Sequence, residues 1–378
     1  MKRKTVAVIF GGRSGEHEVS IVSAESIMNA LDPARYCIVP VGVGKDGRWW
    51  TGTSVLSFLR NGATEHVPED CRLCTLLPDP TRGALLLAGE AAWEAINIDI
   101  VFPVLHGTFG EDGTMQGLFE LADIPYVGAG VAGSAVAMDK VLQKRLHRDA
   151  GLPVTDFLTY SSKEIRERSG DIAGEILGQL RMPLFVKPPN LGSSVGISKV
   201  ATRGELEAAM LHAAQFDRKV LVEEAVVEAR EIEVAVLGNE HPVVSVPGEV
   251  VPCNAFYDYD AKYVDGATQL HVPADLPDPL AERIRSLALL AFRALECEGM
   301  ARVDFLLSRR DDALFLNEVN TIPGFTSISM YPKLFAASGI PYPELLDKLI
   351  ALAGERHEEK RLLLRTYTPK TDWHRHDG

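Results

Sequence analysis

Polar and apolar residues alternate along one segment near the C-terminal end of the chain, and this pattern constrains the fold more than any other. Residues 301–324 read ARVDFLLSRRDDALFLNEVNTIPG, with an apolar run on each side of a charged turn. Because successive strand side chains point to opposite faces, Arg302 shares a face with Asp304, and Glu318 with Asn320. A turn near Arg310 then predicts a hairpin in which Asp304 lies close to Glu318.

The chemistry of this polar face favours a site for a metal ion and phosphate. Two carboxylates, an amide oxygen and a guanidinium converge on it, and Mg²⁺ prefers oxygen ligands shared with phosphate and water. A solvated hairpin face is the alternative for any pair of alternating strands. The asparagine and arginine beside the acids, and the Thr-Ile-Pro-Gly sequence that follows at 321–324, favour the metal site.

Length and composition are those of a soluble protein with two or three domains. The chain has 378 residues and a formal net charge of −13, which argues against non-specific nucleic-acid binding. We expect no secretory signal, because the apolar run 6–10 is short, and no membrane span, which needs ~20 apolar residues. The five cysteines predict a reduced, cytoplasmic protein. Cys71 and Cys74 form a CxxC pair, but no second pair stands at zinc spacing, so we interpret them as structural.

The first part of the chain alternates strand, glycine-rich loop, helix and strand over residues 5–43, which predicts an α/β unit with a parallel sheet. Residues 44–95 read as an elaboration of this first domain, and residues 247–277 as a long loop with aromatic anchors. Residues 128–133 read GAGVAG and match the dinucleotide fingerprint GxGxxG. The acidic residue expected at a strand end about 20 residues later is absent, which argues against NAD binding.

A loop at residues 187–196, KPPNLGSSVG, combines a lysine at its base with glycine and serine at its tip. Small residues let a backbone approach phosphate closely, so the loop predicts a phosphate site between two strands. It is not a Walker A loop, because no Gly-Lys-Ser/Thr closes it. An ordinary hairpin turn is the alternative.

Several other polar residues lie at predicted strand ends, where ligands of α/β domains gather. Glu16 follows the first strand, and His106 lies in the sequence LHGTFGEDG after another strand, so both loops can face one cleft. A histidine that merely satisfies the core is the alternative for His106. Glu223 and Glu224 lie at the end of a further strand and read as solvated, while Glu231 and Glu233 alternate on the next strand and could equally be an exposed face.

Together these segments resemble the ATP-grasp superfamily, and within it the D-alanine–D-alanine ligase family. The matching sequences are GGRSGEHEVS, LHGTFGEDGTMQG, GAGVAGSAVAMDK, VKPPNLGSSVG, FYDYDAKY, ARVDF and LNEVNTIPGFTSIS, in the family's order. The resemblance implies an α/β fold, α+β in its C-terminal half, with a Rossmann-like N-terminal domain joined to an ATP-grasp unit. It implies four segments: a substrate domain at 1–137, a central subdomain with the phosphate loop at 138–220, a subdomain with the metal site at 221–360, and a tail at 361–378.

The resemblance also implies which residues bind the nucleotide. Lys140 and Lys187 would hold the ATP phosphates, with Lys262 near the γ-phosphate. Glu223 would contact the adenine amine, Val226 would offer backbone contacts and Glu231 would bind the ribose. Asp304, Glu318 and Asn320 would hold two Mg²⁺ ions, with Mn²⁺ as a substitute. Ala225 departs from the tryptophan of many shorter members, so we expect a different packing around adenine.

The resemblance also implies which residues bind the two D-alanine substrates. Glu16 would bind the ammonium of the first D-alanine, with His106 nearby, while Ser193, Tyr263 and Glu16 would form a hydrogen-bonded set that closes loops over the site. Arg302 and the Gly324 N–H would stabilise an oxyanion. Ser329 and Met330 would receive the carboxylate of the second D-alanine.

The implied activity is ATP-dependent joining of two D-alanines through D-alanyl phosphate, for peptidoglycan precursors, by a cytoplasmic homodimer. A sister ligase that uses D-lactate or D-serine is the alternative, and Tyr263 beside Lys262 matches the dipeptide-forming pattern. An NAD-linked oxidoreductase and a non-catalytic nucleotide-binding module are the alternatives from other classes. The arginine beside the metal-binding set argues against a module that only binds nucleotide.

Overall fold

The first sheet contains seven strands in the computed structural model, which describes residues 3–63, 66–251 and 268–368. Its strands are β1 (Lys4–Gly11), β2 (Tyr36–Val43), β3 (Trp49–Thr51), β4 (Arg72–Leu76), β5 (Ala84–Ala88), β6 (Trp93–Asn97) and β7 (Ile100–Pro103). β1 pairs in parallel with β2 and β7, which confirms the α/β unit. Residues 44–95 extend this sheet with the antiparallel strands β3 to β6.

Three helices lie between or directly after the strands of the first sheet in the sequence. They are α1 (His17–Ala30), α2 (Val55–Arg60) and α3 (Thr114–Leu121). α1 buries Ile21, Ala24 and Ile27 against the buried side chains of β1, because these positions recur on one helical face. The loop between β1 and α1 therefore lies at the carboxyl end of β1, beside the loop that follows β7.

The GAGVAG glycines pack closely against the backbone of residues 296–299. α4 (Val131–Met138) and α5 (Lys140–Asp149) follow these glycines. Gly299 has a φ of +71°, and a Cβ on it would lie 3.2 Å from the Gly128 Cα. A Cβ on Gly133 would lie 2.7 Å from the Glu296 carbonyl oxygen. Backbone contact thus explains this glycine pattern without a dinucleotide.

The second sheet has four antiparallel strands and carries the glycine–serine loop. Its strands are β8 (Phe157–Ser161), β9 (Leu184–Lys187), β10 (Ser198–Val200) and β11 (Lys219–Glu224), in the order β10-β9-β11-β8. α6 (Ser162–Leu177) and α7 (Arg203–Ala213) pack on it around a separate apolar core. Ser198 pairs with Val186, so β9 and β10 form the predicted hairpin around residues 187–196.

The third sheet has six strands, including the acidic hairpin. They are β12 (Ala229–Gly238), β13 (Val243–Val244), β14 (Gly248–Val251), β15 (Gln269–His271), β16 (Gly299–Ser308) and β17 (Leu314–Asn320). The helices around it are α8 (Asp278–Ala294), α9 (Met330–Ala337) and α10 (Tyr342–Arg361). The predicted long loop at 247–277 was partly wrong, because β14 and β15 pair antiparallel within it. In the described ranges, no helix is long and apolar enough to cross a membrane.

The register of β16 and β17 confirms the predicted hairpin. Arg302 pairs with Asn320 and Asp304 with Glu318, so the four polar residues share one patch. Beyond Asp304 the register shifts, because Phe305 pairs with Leu316. Such a bulge increases the local twist and re-aims the side chains beside it.

Candidate active site

One cavity of about 450 Å³ lies where the three sheets meet, and it collects residues from both halves of the sequence. The predicted site residues that line it are Glu16, His106, Lys140, Lys187, Ser193, Glu223, Val226, Glu231, Arg302, Asp304, Glu318, Asn320, Gly324, Ser329 and Met330. Two more, Lys262 and Tyr263, lie outside the described residues. A cavity of this size falls within the range of small-molecule sites, which is about 300–1,000 Å³.

Arg302 lies at the centre of the acidic hairpin. Its Nε and Nη2 donate to the two Asp304 carboxylate oxygens, each at 2.7 Å, and its Nε lies 3.1 Å from Glu233 Oε2. Burial alone would lower the pKa of Arg302, but Asp304 and Glu233 hold it well above the usual range. Arg302 is therefore a fixed cation in the wall of the cavity.

Lys140 connects the hairpin with the glycine–serine loop. It is the first residue of α5, whose N-terminus is capped by the Asp139 carboxylate, which accepts the Val141 N–H at 3.1 Å. The Lys140 ammonium donates to the Leu191 carbonyl at 2.9 Å and lies 3.4 Å from Glu318 Oε2. A cation is thus placed between the loop and the hairpin, where an anionic ligand would meet both.

The donor set of the hairpin fits a hard divalent cation. Asn320 Oδ1 is buried and has no hydrogen-bond partner among the residues described. Since a buried polar oxygen normally has a partner, this atom is suited to a ligand that the protein does not supply. Among the described residues, no three side chains of His, Cys, Asp or Glu lie together in an arrangement that could hold a metal ion by themselves. Asp304, Glu318 and Asn320 would hold Mg²⁺ only together with phosphate oxygens and water, as this ion commonly binds.

Glu223 is the counter-ion of two buried lysines. Its carboxylate lies 2.6 Å from the Lys144 ammonium and 2.5 Å from the Lys187 ammonium, and it accepts the Thr155 hydroxyl at 2.9 Å. Burial alone would raise the pKa of Glu223, but the two ammonium groups hold it below its usual range. Its partners in this structure are thus protein groups, while its contact with adenine stays a prediction.

Glu16 and Ser193 join the first domain to the glycine–serine loop. The Ser193 hydroxyl donates to the Glu16 carboxylate, and Ser193 has a φ of +47°, a left-handed conformation that is uncommon for serine. A Cβ on Gly192 would lie 2.3 Å from Glu16 Oε2, so a larger residue there would displace the Glu16 carboxylate from its present position. The predicted loop-closing set therefore has two of its members in contact.

His106 is buried and faces protein groups with both ring nitrogens. Its Nδ1 lies 2.9 Å from the Ile322 carbonyl, and its Nε2 lies 3.4 Å from the Ser23 hydroxyl. Burial lowers the pKa of the imidazole, and the nearby Glu16 carboxylate opposes this only in part. The alternative of a histidine satisfied within the core therefore matches these contacts, although the ring also borders the cavity.

Sequence reasoning missed three residues of the cavity. Glu111 accepts the Gly107 N–H at 2.7 Å, and burial together with Glu16 raises its pKa to about 8. Lys144 and Thr155 complete the Glu223 cluster. Lys144 follows Lys140 by four residues on α5, so helical spacing could have indicated it. Glu111 lies within the quoted LHGTFGEDG sequence, but nothing in its spacing distinguished it from the neighbouring Asp112.

The turn before α9 lines one part of the cavity with Gly324 and Ser329. Ser329 Oγ lies 2.8 Å from the Thr326 hydroxyl and accepts the Thr326 N–H at 3.0 Å. A Cβ on Gly324 would lie 2.7 Å from Ser329 Oγ, so Gly324 and Ser329 are immediate neighbours. Met330 begins α9, whose N-terminal N–H groups favour an anion such as a carboxylate.

Comparisons with known proteins agree over nearly the whole chain. A family model described as the D-ala D-ala ligase N-terminus matches residues 5–129, and one described as the C-terminus matches residues 146–351. The D-alanine–D-alanine ligase of Chloroherpeton thalassium is 47% identical and covers 96% of this chain and 99% of its own. That of Thermoanaerobacter pseudethanolicus is 51% identical, covering 95% of this chain and 99% of its own.

Two solved structures are similar in fold as well as in sequence. The VanG D-Ala:D-Ser ligase of Enterococcus faecalis has a TM-score of 0.83 at 36% identity, and it covers 93% of this chain and 100% of its own. The D-alanine–D-alanine ligase of Coxiella burnetii has a TM-score of 0.78 at 38% identity, with 96% and 97% covered. These matches confirm the ATP-grasp architecture. The chain belongs to the D-alanine–D-alanine ligase family.

Proposed function

We propose that this protein joins two molecules of D-alanine to D-alanyl-D-alanine and converts ATP to ADP and phosphate. The observation that carries the proposal is the cavity that brings Glu16, the Lys140 cation and the acidic hairpin together. An amino-acid ammonium, a polyphosphate and an oxyanion each find a complementary group there. The activity of the family supplies the substrates, and the geometry supports the chemistry.

The first step transfers a phosphoryl group. A carboxylate oxygen of the first D-alanine attacks the γ-phosphorus of ATP, ADP leaves, and D-alanyl phosphate forms. Lys140, held by the Leu191 carbonyl, and Lys187 both line the cavity, and we infer that they position the phosphates. Positioning and charge neutralisation supply most of the catalysis in such transfers. Mg²⁺ held by Asp304, Glu318 and Asn320 would neutralise phosphate charge.

The second step forms the peptide bond. The amine of the second D-alanine attacks the carbonyl carbon of the acyl phosphate, and a negative charge develops on the carbonyl oxygen. Arg302 is a fixed cation of the hairpin, and Gly324 lies next to Ser329. We infer that these two groups stabilise the oxyanion, which collapses as phosphate leaves and the amine loses a proton.

Water must be excluded while the acyl phosphate exists, because it would hydrolyse. The hydrogen bond from Ser193 to Glu16 ties the glycine–serine loop to the substrate loop. We propose that this contact forms part of a closed state, with Tyr263 as its third member. Closure would then both shield the intermediate and orient the first D-alanine through Glu16.

The proposed reaction suggests a pathway and a compartment for the protein. We propose that the dipeptide enters peptidoglycan precursor synthesis in the cytoplasm, where ATP is available. We also propose a homodimer, which size-exclusion chromatography with light scattering would test directly.

Phosphate release, measured with ATP and a panel of acceptors, tests the function. We expect release with D-alanine alone and the D-alanyl-D-alanine product by mass spectrometry. The similarity to the VanG D-Ala:D-Ser ligase makes D-serine the second candidate acceptor. A faster reaction with D-alanine plus D-serine or D-lactate, at neutral pH, would replace the dipeptide proposal with that sister activity. Absence of release with every acceptor would contradict both.

A further inference from the structure

His106 connects the first domain to the turn that carries Gly324. The Ile322 carbonyl can only accept, so His106 Nδ1 carries the proton and donates to it at 2.9 Å. A neutral imidazole then has an acceptor at Nε2, which faces the Ser23 hydroxyl at 3.4 Å. The ring is therefore oriented from both ends by groups of this chain.

Ser23 extends the same connection to the other side of the turn. It lies on α1, is fully buried, and accepts the Phe325 N–H at 3.2 Å. Its proton remains available for His106 Nε2. Residues 322 and 325 are thus both held from the first domain, and Gly324 lies between them in the chain.

The Phe325 side chain is anchored separately from its amide. Its ring contacts Phe102 of β7 edge-on, with centroids 6.1 Å apart, and Tyr331 of α9 at 5.7 Å. Aromatic packing holds the ring in place, but it does not fix how the preceding peptide is rotated. The Ser23 hydroxyl supplies that restraint, because a hydrogen bond to the Phe325 N–H is directional.

We propose that Ser23 is a positioning residue for peptide-bond formation, holding the Gly324 N–H in its oxyanion-binding orientation through Phe325 and His106. This inference rests on the proposed role of Gly324. It assigns His106 to the same clamp, defined as Ser23, His106 and the turn 322–325, rather than to direct contact with D-alanine. The clamp couples α1 of the first domain to a step that takes place on the third sheet.

Ser20 offers a matched control for Ser23. It lies one turn earlier on α1, is also fully buried, and likewise contacts two backbone groups: its hydroxyl donates to the Val104 carbonyl and accepts the Gly11 N–H. Neither contact involves residues 322–325. Ser20→Ala and Ser23→Ala therefore remove similar buried hydrogen bonds, and only Ser23→Ala releases the turn.

The experiment is rapid-quench kinetics with ATP and D-alanine, which separates ADP formation from phosphate release. For Ser23→Ala we expect ADP formation at the wild-type rate in the first turnover and phosphate release slowed about tenfold, a part of the effect of losing an oxyanion donor. The KM for ATP should not change. Ser20→Ala should leave phosphate release within about twofold of wild type, since it keeps the same oxyanion donors. Ser23→Cys keeps the volume with a weaker acceptor and should fall between.

A double variant tests whether the clamp acts as one unit. Ser23→Ala combined with His106→Gln should slow phosphate release no more than the poorer single variant, because both break the same connection. Equal slowing of ADP formation and phosphate release, or identical rates for Ser23→Ala and Ser20→Ala, would overturn the proposal. If Arg302→Lys slows phosphate release but Ser23→Ala does not, only the clamp fails. A wild-type protein that releases no phosphate with D-alanine would overturn the proposed function as well.

Discussion

Replacing Glu223 with glutamine removes the only carboxylate that both Lys144 and Lys187 contact in the described structure, at 2.6 and 2.5 Å. All three side chains are almost fully buried, with at most 12% of any of them exposed. Breaking a buried pair by removing one partner costs about 3–5 kcal/mol, because a charge is left without compensation. Here two ammonium groups lose their counter-ion at once, so we expect a loss near the upper end, about 4–5 kcal/mol.

Urea unfolding followed by circular dichroism measures this loss without any nucleotide. The control is Glu344→Gln, which breaks an exposed pair with Lys348 on α10 and should cost below about 0.5 kcal/mol. Adding Lys144→Met to Glu223→Gln removes one of the two unpaired cations and should recover part of the stability. If Glu223→Gln unfolds like wild type and raises only the KM for ATP, Glu223 serves adenine and the counter-ion argument is wrong.

The same variant has a predictable pH dependence. The lysines lower the pKa of Glu223 below its usual value of about 4.3, so the ionised carboxylate stabilises the folded state. This contribution is complete above pH 4.3 and declines as the pH falls toward the folded-state pKa. The stability difference between wild type and Glu223→Gln should therefore be constant from pH 6 to 8 and shrink below about pH 4. A difference that grows on acidification would contradict the sign of the shift.

Two further substitutions test the hairpin and the loop. Glu318→Gln should fold with the wild-type circular dichroism spectrum yet lose dipeptide synthesis, because the hairpin loses a charged oxygen ligand; near-normal turnover would refute the metal assignment. Ser193→Ala should bind ATP normally in calorimetry but turn over slowly, since it lacks the hydroxyl that donates to Glu16. Unchanged kinetics in that variant would remove the argument for loop closure.

The acidic hairpin was predictable because its signal is local. A period of two and a short turn determine which side chains face each other, so the pairing of Asp304 with Glu318 followed from spacing alone. The bulge after Asp304 was not predictable, since the alternation that places Arg302 with Asp304 and Glu318 with Asn320 is the same with or without it. The glycine–serine loop was predictable for the same local reason, as two apolar runs flank it.

Contacts between residues far apart in the sequence could not be predicted from the alternation of polar and apolar residues. Lys144, Lys187 and Glu223 belong to α5, β9 and β11, and only the packed sheet brings them together. Glu223 looked like a solvated acid because its position at a strand end does not show that the neighbouring elements cover it. The partners of His106 have the same origin: Ile322 is 216 residues away, and no local rule connects them.

In the proposed reaction, the carboxylate of the first D-alanine becomes an acyl phosphate before the peptide bond forms. Incubation with ATP and D-alanine labelled with ¹⁸O in both carboxylate oxygens tests it, with mass spectrometry of the released phosphate. We expect one ¹⁸O atom in each phosphate, because the bridging oxygen leaves with phosphorus, and one ¹⁸O in the new amide carbonyl. Phosphate without ¹⁸O, formed together with dipeptide, would contradict it.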